Sequence, residues 1–192
     1  MKKGLGNVDR RSVKLVVAGG FGVGKTTFVG SVSEIAPLTT EEVLTQAGAG
    51  VDDVTGVDNK TRTTVALDFG RITIASEVVL YLFGTPGQDR FWFMWDELAQ
   101  GAIGAIVLVD TRRLNSSFPA IDYFERRQIP FVAAVNRFFG ECLYTEREIR
   151  AALKLPPTVP LLWCDARDRE SSKQALIQLV RHAMTLLPVG GG

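Results

Sequence analysis

The chain has 192 residues, of which 46% are hydrophobic and 22% are charged, and its formal net charge is +1. This composition supplies one ordinary hydrophobic core and leaves little for a second, so we predict a single domain. The scattering of Lys and Arg among Asp and Glu excludes a basic stripe of the kind that follows a nucleic-acid backbone.

Neither the apolar runs nor the N-terminus indicates a membrane or secretion segment. The longest uncharged apolar stretch, at 101–109, is about half of what a membrane-spanning helix needs. No apolar segment follows the charged N-terminus as it would in a signal peptide, so we predict a cytoplasmic protein that reaches membranes only through partners. Cys142 and Cys164 are too far apart for a CxxC site, and we assign them no chemistry.

The first predicted elements are a strand over 13–18, a glycine-rich loop, and a helix over 26–35. The stretch from 36 to 63 is rich in Pro, Thr, Gly and Asp, with only a brief helical signal at 41–47. An irregular stretch of this length in a compact domain is usually functional or mobile, so we predict a switch segment. Two strands, at 64–75 and 77–83, then form an antiparallel pair.

Strands and helices alternate through the rest of the chain. Near-continuous apolar runs at 104–110, 130–136 and 159–165 are typical of strands covered on both faces. The helices are predicted at 118–128, 145–155 and 171–187, and capping boxes Thr145–Glu148 and Ser171–Gln174 open the last two. This order predicts an α/β domain over 13–187, flanked by an N-terminal extension (1–12) and a C-terminal tail (188–192). We expect helices on both faces of a six-stranded, mostly parallel sheet with one antiparallel edge strand, and a ligand at the carboxyl ends of the strands.

Residues 19–26, GGFGVGKT, match the phosphate-loop pattern G-x-x-x-x-G-K-[ST] in full, between a predicted strand and a predicted helix. Glycines let backbone N–H groups turn inward around a β-phosphate, and the helix N-terminus adds partial positive charge. Lys25 is predicted to bridge the β- and γ-phosphates, and Thr26 to ligate Mg²⁺. Further phosphate contacts are expected from Gly19, Phe21, Gly22, Val23, Gly24 and Thr27. A dinucleotide site is the weaker interpretation, because Lys25 stands where G-x-G-x-x-G needs its last glycine.

Five segments together resemble the five motifs of the Ras-like small GTPases, over nearly the whole chain. They are the phosphate loop, Thr64 before a strand, GTPGQ at 84–88, NRFF at 136–139 and DAR at 165–167. FGTPGQDRF, VNRFFG and WCDARDR are most similar to bacterial members of the gliding-motility and conservon type, which work with Roadblock-type regulatory proteins. The resemblance implies a P-loop NTPase fold, GTP/GDP and Mg²⁺ as ligands, slow GTP hydrolysis, and a Roadblock-type partner.

The resemblance also assigns roles to single residues. Thr64, with Thr63 as the alternative, would sense Mg²⁺ and the γ-phosphate. Gly87 would donate its amide to the γ-phosphate, and Gln88 would orient the attacking water. The base-binding positions are Asn136, Arg137, Phe139, Asp165, Ala166 and Arg167.

Two departures from the family pattern concern the phosphates. Most P-loop NTPases end the strand before GTPGQ in an aspartate that holds Mg²⁺ through its hydration shell, but here Gly84 stands there. The missing aspartate could be replaced by Asp52, Asp53 or Asp58, or by water alone. We therefore expect weaker Mg²⁺ dependence. The Phe21 ring should obstruct an arginine supplied by a partner. Arg62 is then the candidate catalytic arginine in cis, and a solvated switch arginine is the alternative.

The third departure concerns the base. Phe139 replaces the acid that reads guanine, which should cost ~1–3 kcal/mol and reduce the preference for GTP over ATP. Arg137 would still stack on the base, the Ala166 amide would still receive guanine O6, and Asp165 is a candidate substitute for the acid.

The aromatic segment at 91–95, FWFMW, follows Gln88 directly. As an alternative, a helix here would turn Phe91 and Trp95 inward and bury part of the segment in the core. We predict a partner surface that includes Phe91, Trp92 and Phe93. Taken together with the phosphate loop and the other motifs, these features make a nucleotide-dependent switch the leading interpretation. A degenerate GTPase that acts as a binding scaffold, and an ATP-using enzyme such as a small kinase, remain open.

Overall fold

The computed structural model describes residues 11–36, 38–44, 63–75, 78–87, 93–138 and 143–186. Within these ranges, strands alternate with helices along most of the chain. A short 3-10 turn, Leu114–Ser117, precedes the third helix. The strands and α-helices are β1 (Arg11–Ala18), α1 (Lys25–Val32), β2 (Leu38–Leu44), β3 (Thr63–Ala75), β4 (Val78–Gly84), α2 (Phe93–Ala99), β5 (Ala102–Val109), α3 (Phe118–Arg126), β6 (Phe131–Asn136), α4 (Glu146–Ala152), β7 (Leu161–Cys164) and α5 (Arg169–Leu186).

The strands form one sheet in the order β2-β3-β4-β1-β5-β6-β7. Strand β1 pairs in parallel with β4 and β5, and β6 pairs in parallel with β5 and β7, whereas β3 runs antiparallel to both of its neighbours. The predicted α/β class and mostly parallel sheet are confirmed.

The described sheet has seven strands, one more than the six expected. Leu38–Leu44, placed in the irregular stretch with a partly helical signal, pairs over its whole length with β3. Backbone hydrogen bonding to an available strand outweighs the weak helix preference of the two glutamates in this segment. The antiparallel strand β3 consequently lies second from the edge of the sheet, and β2 forms the edge.

The core lies on both faces of the sheet because β1 alternates its side chains between them. Leu15 and Val17 point into the cluster under α1 and α5. Val16 and Ala18 join the cluster around Trp95 on the opposite face. Burial on both sides explains why the central strands are continuous apolar runs in the sequence.

The caps of the last two helices differ from each other. At α4 the Thr145 hydroxyl accepts from the Glu148 N–H at 3.3 Å, and the Glu148 carboxylate accepts from the Thr145 N–H at 2.8 Å, which confirms the predicted capping box. The capping box predicted at Ser171 is wrong. Helix α5 begins two residues earlier, at Arg169, because the carboxylate of Asp168 accepts from the Ser171 N–H at 2.7 Å.

Strand β1 begins at Arg11, two residues before its predicted start, and α5 ends at Leu186. The proposed N-terminal extension and C-terminal tail fall almost entirely outside the described residues and stay predictions. None of the helices in the described ranges combines the length and apolarity that crossing a bilayer requires.

The capping box of α4 gives a first prediction. Thr145→Ala removes the hydroxyl that satisfies a helix N–H, and should lower the free energy of unfolding by about 1 kcal/mol. Thr158→Ala, at an exposed threonine in a turn, is the matched control and should change it by less than about 0.5 kcal/mol. Urea denaturation followed by circular dichroism measures both, and equal stabilities would contradict the role of the cap.

Candidate nucleotide-binding site

The phosphate loop between β1 and α1 has the tight shape that its glycines allow. Gly22 and Gly24 adopt left-handed conformations, with φ of 71° and 105°. A Cβ on Gly24 would lie 2.7 Å from the side-chain nitrogen of Asn136, so a larger residue does not fit this turn. Residues of opposite hand in succession turn neighbouring N–H groups toward one side of a loop. The loop therefore has the shape of an anion-binding concavity at the start of α1, whose N-terminus has no side-chain cap.

The side chain of Lys25 folds back over this loop. Its ammonium nitrogen donates hydrogen bonds to the carbonyl oxygens of Gly19 and Gly20, at 2.8 and 2.9 Å. Burial lowers the pKa of Lys25 to about 8, although the negative charge of Asp68 acts in the opposite direction. Lys25 is thus a buried cation held by backbone oxygens, and phosphate oxygens would give it stronger, charge-assisted partners.

Thr26 contacts an acid from another strand. Its hydroxyl donates to Oδ2 of Asp68, on β3, at 2.8 Å. Asp68 is 6% exposed, and its Oδ1 has no hydrogen-bond partner in the described part of the chain. Gly84, the last residue of β4, pairs directly with Asp68 in the antiparallel register. The structure therefore brings a buried carboxylate to the predicted metal ligand.

Asp68 is a site residue that reading the sequence missed. A signal for it existed, because it is the only acidic residue of β3 and interrupts an otherwise apolar run. An unpaired acid in a buried strand is costly and usually has a function. Its position opposite Gly84, however, depends on strand register, which the sequence does not display.

A cavity of about 400 Å³ opens beside the outer edge of the phosphate loop, lined in part by Phe21, Gly87 and Arg113. Gly87 lies so close to the loop that a Cβ on it would be 2.7 Å from Nζ of Lys25. The guanidinium of Arg113 donates to the Phe21 carbonyl at 3.1 Å and contacts the buried carboxylate of Asp110 at 3.4 Å. Arg113, which we did not name from the sequence, thus supports the loop residue expected to face the γ-phosphate.

Asn136, at the end of β6, joins the phosphate loop to the loop after β7. Its side-chain nitrogen donates to the Val23 carbonyl at 2.9 Å, and its side-chain oxygen accepts from the Ala166 N–H at 3.0 Å. The residue is 7% exposed, so both bonds are buried. A buried amide with both ends satisfied fixes the relative position of the two loops that it joins.

Two of the remaining predicted base contacts are paired with each other, and a third packs on a neighbouring ring. Arg167 binds Asp165 through two hydrogen bonds, at 2.9 and 2.8 Å. This pairing lowers the pKa of Asp165. The guanidinium of Arg137 lies 5.3 Å from the Trp163 ring, and that of Arg112 lies 3.9 Å from the Phe138 ring. Asp165 therefore already has a charged partner, which competes with any role as substitute for the missing acid.

Several predicted residues lie elsewhere. Thr27 is exposed on the first turn of α1, and Phe93 begins α2 and is 64% exposed. Thr64 pairs with Val43 of β2 and lies four residues before Asp68, about 13 Å along an extended strand. Its role as a metal ligand stays a prediction. The predicted residues that fall outside the described ranges are Asp52, Asp53, Asp58, Arg62, Gln88, Phe91, Trp92 and Phe139.

Comparison with known proteins agrees with this geometry. A family model described as "Conserved hypothetical ATP binding protein" matches residues 17–186. An uncharacterized protein of Methanocaldococcus jannaschii is 31% identical over 132 residues, which cover 68% of this chain and 73% of that protein. The human Ras-related protein Rab-7b is 25% identical over 158 residues, or 81% of this chain and 69% of its own length.

Among solved structures, the cytosolic domain of the T. maritima FeoB iron transporter, in a GDP form, has the same fold. Its TM-score is 0.61 at 16% sequence identity, and the match covers 91% of this chain. This chain spans 64% of that FeoB chain. The likeness places the chain among the P-loop folds of the G-domain type. Membership of the gliding-motility and conservon group is not among these matches and stays a prediction.

The buried ammonium of Lys25 predicts a pH dependence. A bound polyphosphate favours the charged form and raises the pKa of Lys25 above its value of about 8 in the free protein. Affinity should therefore be full below pH 8 and fall by up to about tenfold per pH unit above it. Calorimetry in buffers of different ionisation heats should detect proton uptake on nucleotide binding at pH 9.

Lys154→Met, at an exposed lysine, is the matched control and should keep this uptake. Lys25→Met should abolish the uptake together with most of the binding. Proton uptake of the same size at pH 7.5 and pH 9 would show that another group is responsible.

Proposed function

Because the chain belongs to the family of conserved hypothetical ATP binding proteins, we propose that it is a nucleotide-dependent switch that binds GTP and GDP and hydrolyses GTP slowly. The observation that carries the proposal is the position of Lys25 and Thr26 in a glycine-shaped loop that Asn136 ties to the base-side loop. Two likenesses favour guanine nucleotides, since Rab-7b is a Ras-related protein and the FeoB domain was solved in a GDP form.

The residues of this chain would bind and orient the phosphates. Lys25 would exchange its backbone carbonyl partners for phosphate oxygens and neutralise part of their charge. The Thr26 hydroxyl donates its proton to Asp68, which leaves its oxygen lone pairs free to face a cation. Bound Mg²⁺ would neutralise charge on the β- and γ-phosphate oxygens. The buried, unpartnered oxygen of Asp68 fits such a cation near Thr26.

A second candidate, a protein that binds both ATP and GTP, is favoured by the base side. Asp165 is held in a two-bond pair with Arg167, and Phe139 carries no acceptor for the guanine N1 and N2 groups. The description of the family as ATP binding points the same way. We therefore propose that guanine is preferred by a narrow margin, through the backbone of Ala166 and stacking by Arg137.

Gln88 would orient the attacking water, and Arg62 would supply positive charge in cis. A Roadblock-type regulatory protein is the proposed partner, on a surface that includes Phe91, Trp92 and Phe93. We propose that the protein works in the cytoplasm and is recruited to membranes through such a partner. If turnover is absent, a scaffold that holds nucleotide without hydrolysing it is the alternative function.

The first test identifies the nucleotide that the purified protein carries. Denaturation and ion-exchange chromatography should release GDP or GTP, and phosphate release from added GTP should be slow and require Lys25. Lys25→Ala is the matched variant and should abolish both. Retained nucleotide without phosphate release would support the scaffold. Absence of any bound or binding nucleotide would overturn the switch.

The base side gives a gain-of-function prediction. Phe139→Asp restores the acid that reads guanine and should raise the preference for GDP over ADP by about tenfold or more. Asp165→Asn breaks the pair with Arg167 and should change that preference by less than about threefold, because the Asp165 carboxylate is bonded to Arg167 and not left for the base. Competition of GDP and ADP against a fluorescent guanine nucleotide measures both ratios. A larger effect of Asp165→Asn than of Phe139→Asp would reverse the assignment.

A further inference from the structure

The carboxylate of Asp68, on β3, lies beside Gly84, the position on β4 that lacks an acid. We propose that Asp68, on β3, holds the hydration shell of the nucleotide-bound Mg²⁺ in place of the aspartate that most P-loop NTPases have at the position of Gly84. The inference concerns the metal of the proposed nucleotide site, and it therefore rests on the proposed function.

The register of β3 and β4 places Asp68 opposite Gly84. Asp68 and Gly84 are direct partners in the antiparallel ladder of β3 and β4, so their side-chain positions share one face of the sheet. A Cβ on Gly84 would lie 2.9 Å from Cβ of Asp68 and 3.0 Å from its Oδ2. The side chain of Asp68 thus fills the space that a side chain at position 84 would need. Only one of the two positions can carry an acid without a shift of the strands.

Asp68 also contacts the phosphate loop. Oδ2 of Asp68 accepts the proton of the Thr26 hydroxyl at 2.8 Å, and Thr26 is the residue that the phosphate-loop motif assigns to the metal. A carboxylate bonded to a metal ligand, and not to the metal itself, is the usual arrangement of an outer-shell partner. Asp68 also acts on the charge of Lys25, whose pKa it raises against the effect of burial. The acid therefore belongs to the phosphate end of the site.

The second carboxylate oxygen of Asp68 is available to a ligand. Oδ1 of Asp68 is buried and has no hydrogen-bond partner within the described residues. The two other described acids at this edge of the sheet are already paired, Asp110 with Arg112 and Arg113, and Asp165 with Arg167. A buried carboxylate oxygen without a donor is costly, and water molecules of a hydrated cation would supply the donors. Asp68 is thus the acid that is free to receive them.

This assignment changes two expectations drawn from the sequence. Mg²⁺ dependence should be of ordinary strength, not weak, because the acid is present on the neighbouring strand. Gly84→Asp alone should harm the fold, since its Cβ would lie 2.9 Å from Cβ of Asp68 and 3.0 Å from Oδ2 of that carboxylate.

Release of a fluorescent GDP analogue, with and without EDTA, tests the assignment. In the parent, removing Mg²⁺ should speed release strongly. Asp68→Asn keeps the shape and the acceptor for Thr26 but removes the charge, and should reduce the Mg²⁺ effect by about 10- to 100-fold. Asp122→Asn, at an exposed acid on α3, is the matched control and should behave as the parent. Mn²⁺ affinity of the nucleotide complex, measured by electron paramagnetic resonance, should fall by the same factor.

The exchanged variant Asp68→Gly with Gly84→Asp provides a second measurement. It moves the acid to the opposite strand without the clash, and should recover most of the Mg²⁺ effect even if Asp68→Asn folds poorly. Equal Mg²⁺ effects in the parent and Asp68→Asn, or an exchanged variant that folds without any Mg²⁺ effect, would overturn the assignment. A parent that binds no nucleotide would overturn the proposed function and this inference together, so the two failures are distinguishable.

Discussion

The site depends on one constraint, the close approach of main chains around the phosphate loop. A Cβ on Gly19 would lie 2.6 Å from the carbonyl oxygen of Leu108, and one on Gly20 would lie 2.6 Å from the Ser116 side chain. The loop therefore packs against the end of β5 and the turn after it, while Asn136 holds its other side. Because backbone contacts of this kind tolerate little displacement, the parallel strands set the position of every N–H group that an anion would meet.

Charge at this edge of the sheet is arranged around that loop. Asp110 is fully buried and meets the guanidinium groups of Arg112 and Arg113, and Arg112 is the main cause of its lowered pKa. Arg113 in turn reaches the loop itself. Among the described residues, these pairs leave the phosphate end with one buried cation, Lys25, and one buried acid that has an unsatisfied oxygen, Asp68. A triphosphate with a divalent cation is complementary to both.

Much of the fold follows from the sequence, because periodicity and capping are local. The runs at 104–110 and 130–136 correspond to β5 and β6 within two residues, and the capping box at Thr145 has the expected hydrogen bonds. The failures are non-local. β2 exists through its ladder with β3. The start of α5 is the exception, a local contact, because Asp168 and not Ser171 caps the helix.

The same distinction applies to the site. The phosphate loop could be identified from eight consecutive residues, 19–26, and Asn136 from the resemblance of residues 136–139 to a motif of the small GTPases. The contacts of Asp68 and Arg113 with the loop could not be predicted, since they span 42 and 92 residues, although the acid in β3 is itself visible in the sequence. Asp165 and Arg167 are only two residues apart. The sequence pattern, however, does not indicate which acceptor the Arg167 guanidinium binds.

The pairing of Asp68 with Gly84 has a consequence for how such chains evolve. Two positions on adjacent strands share room for one carboxylate, so a mutation that introduces an acid at either position is tolerated only after the other has lost its side chain. An exchange of the acid between the two strands would therefore pass through an intermediate with neither acid. Homologues should therefore divide into two groups with opposite residues at these positions, and a motif that inspects β4 alone would recognise only one group.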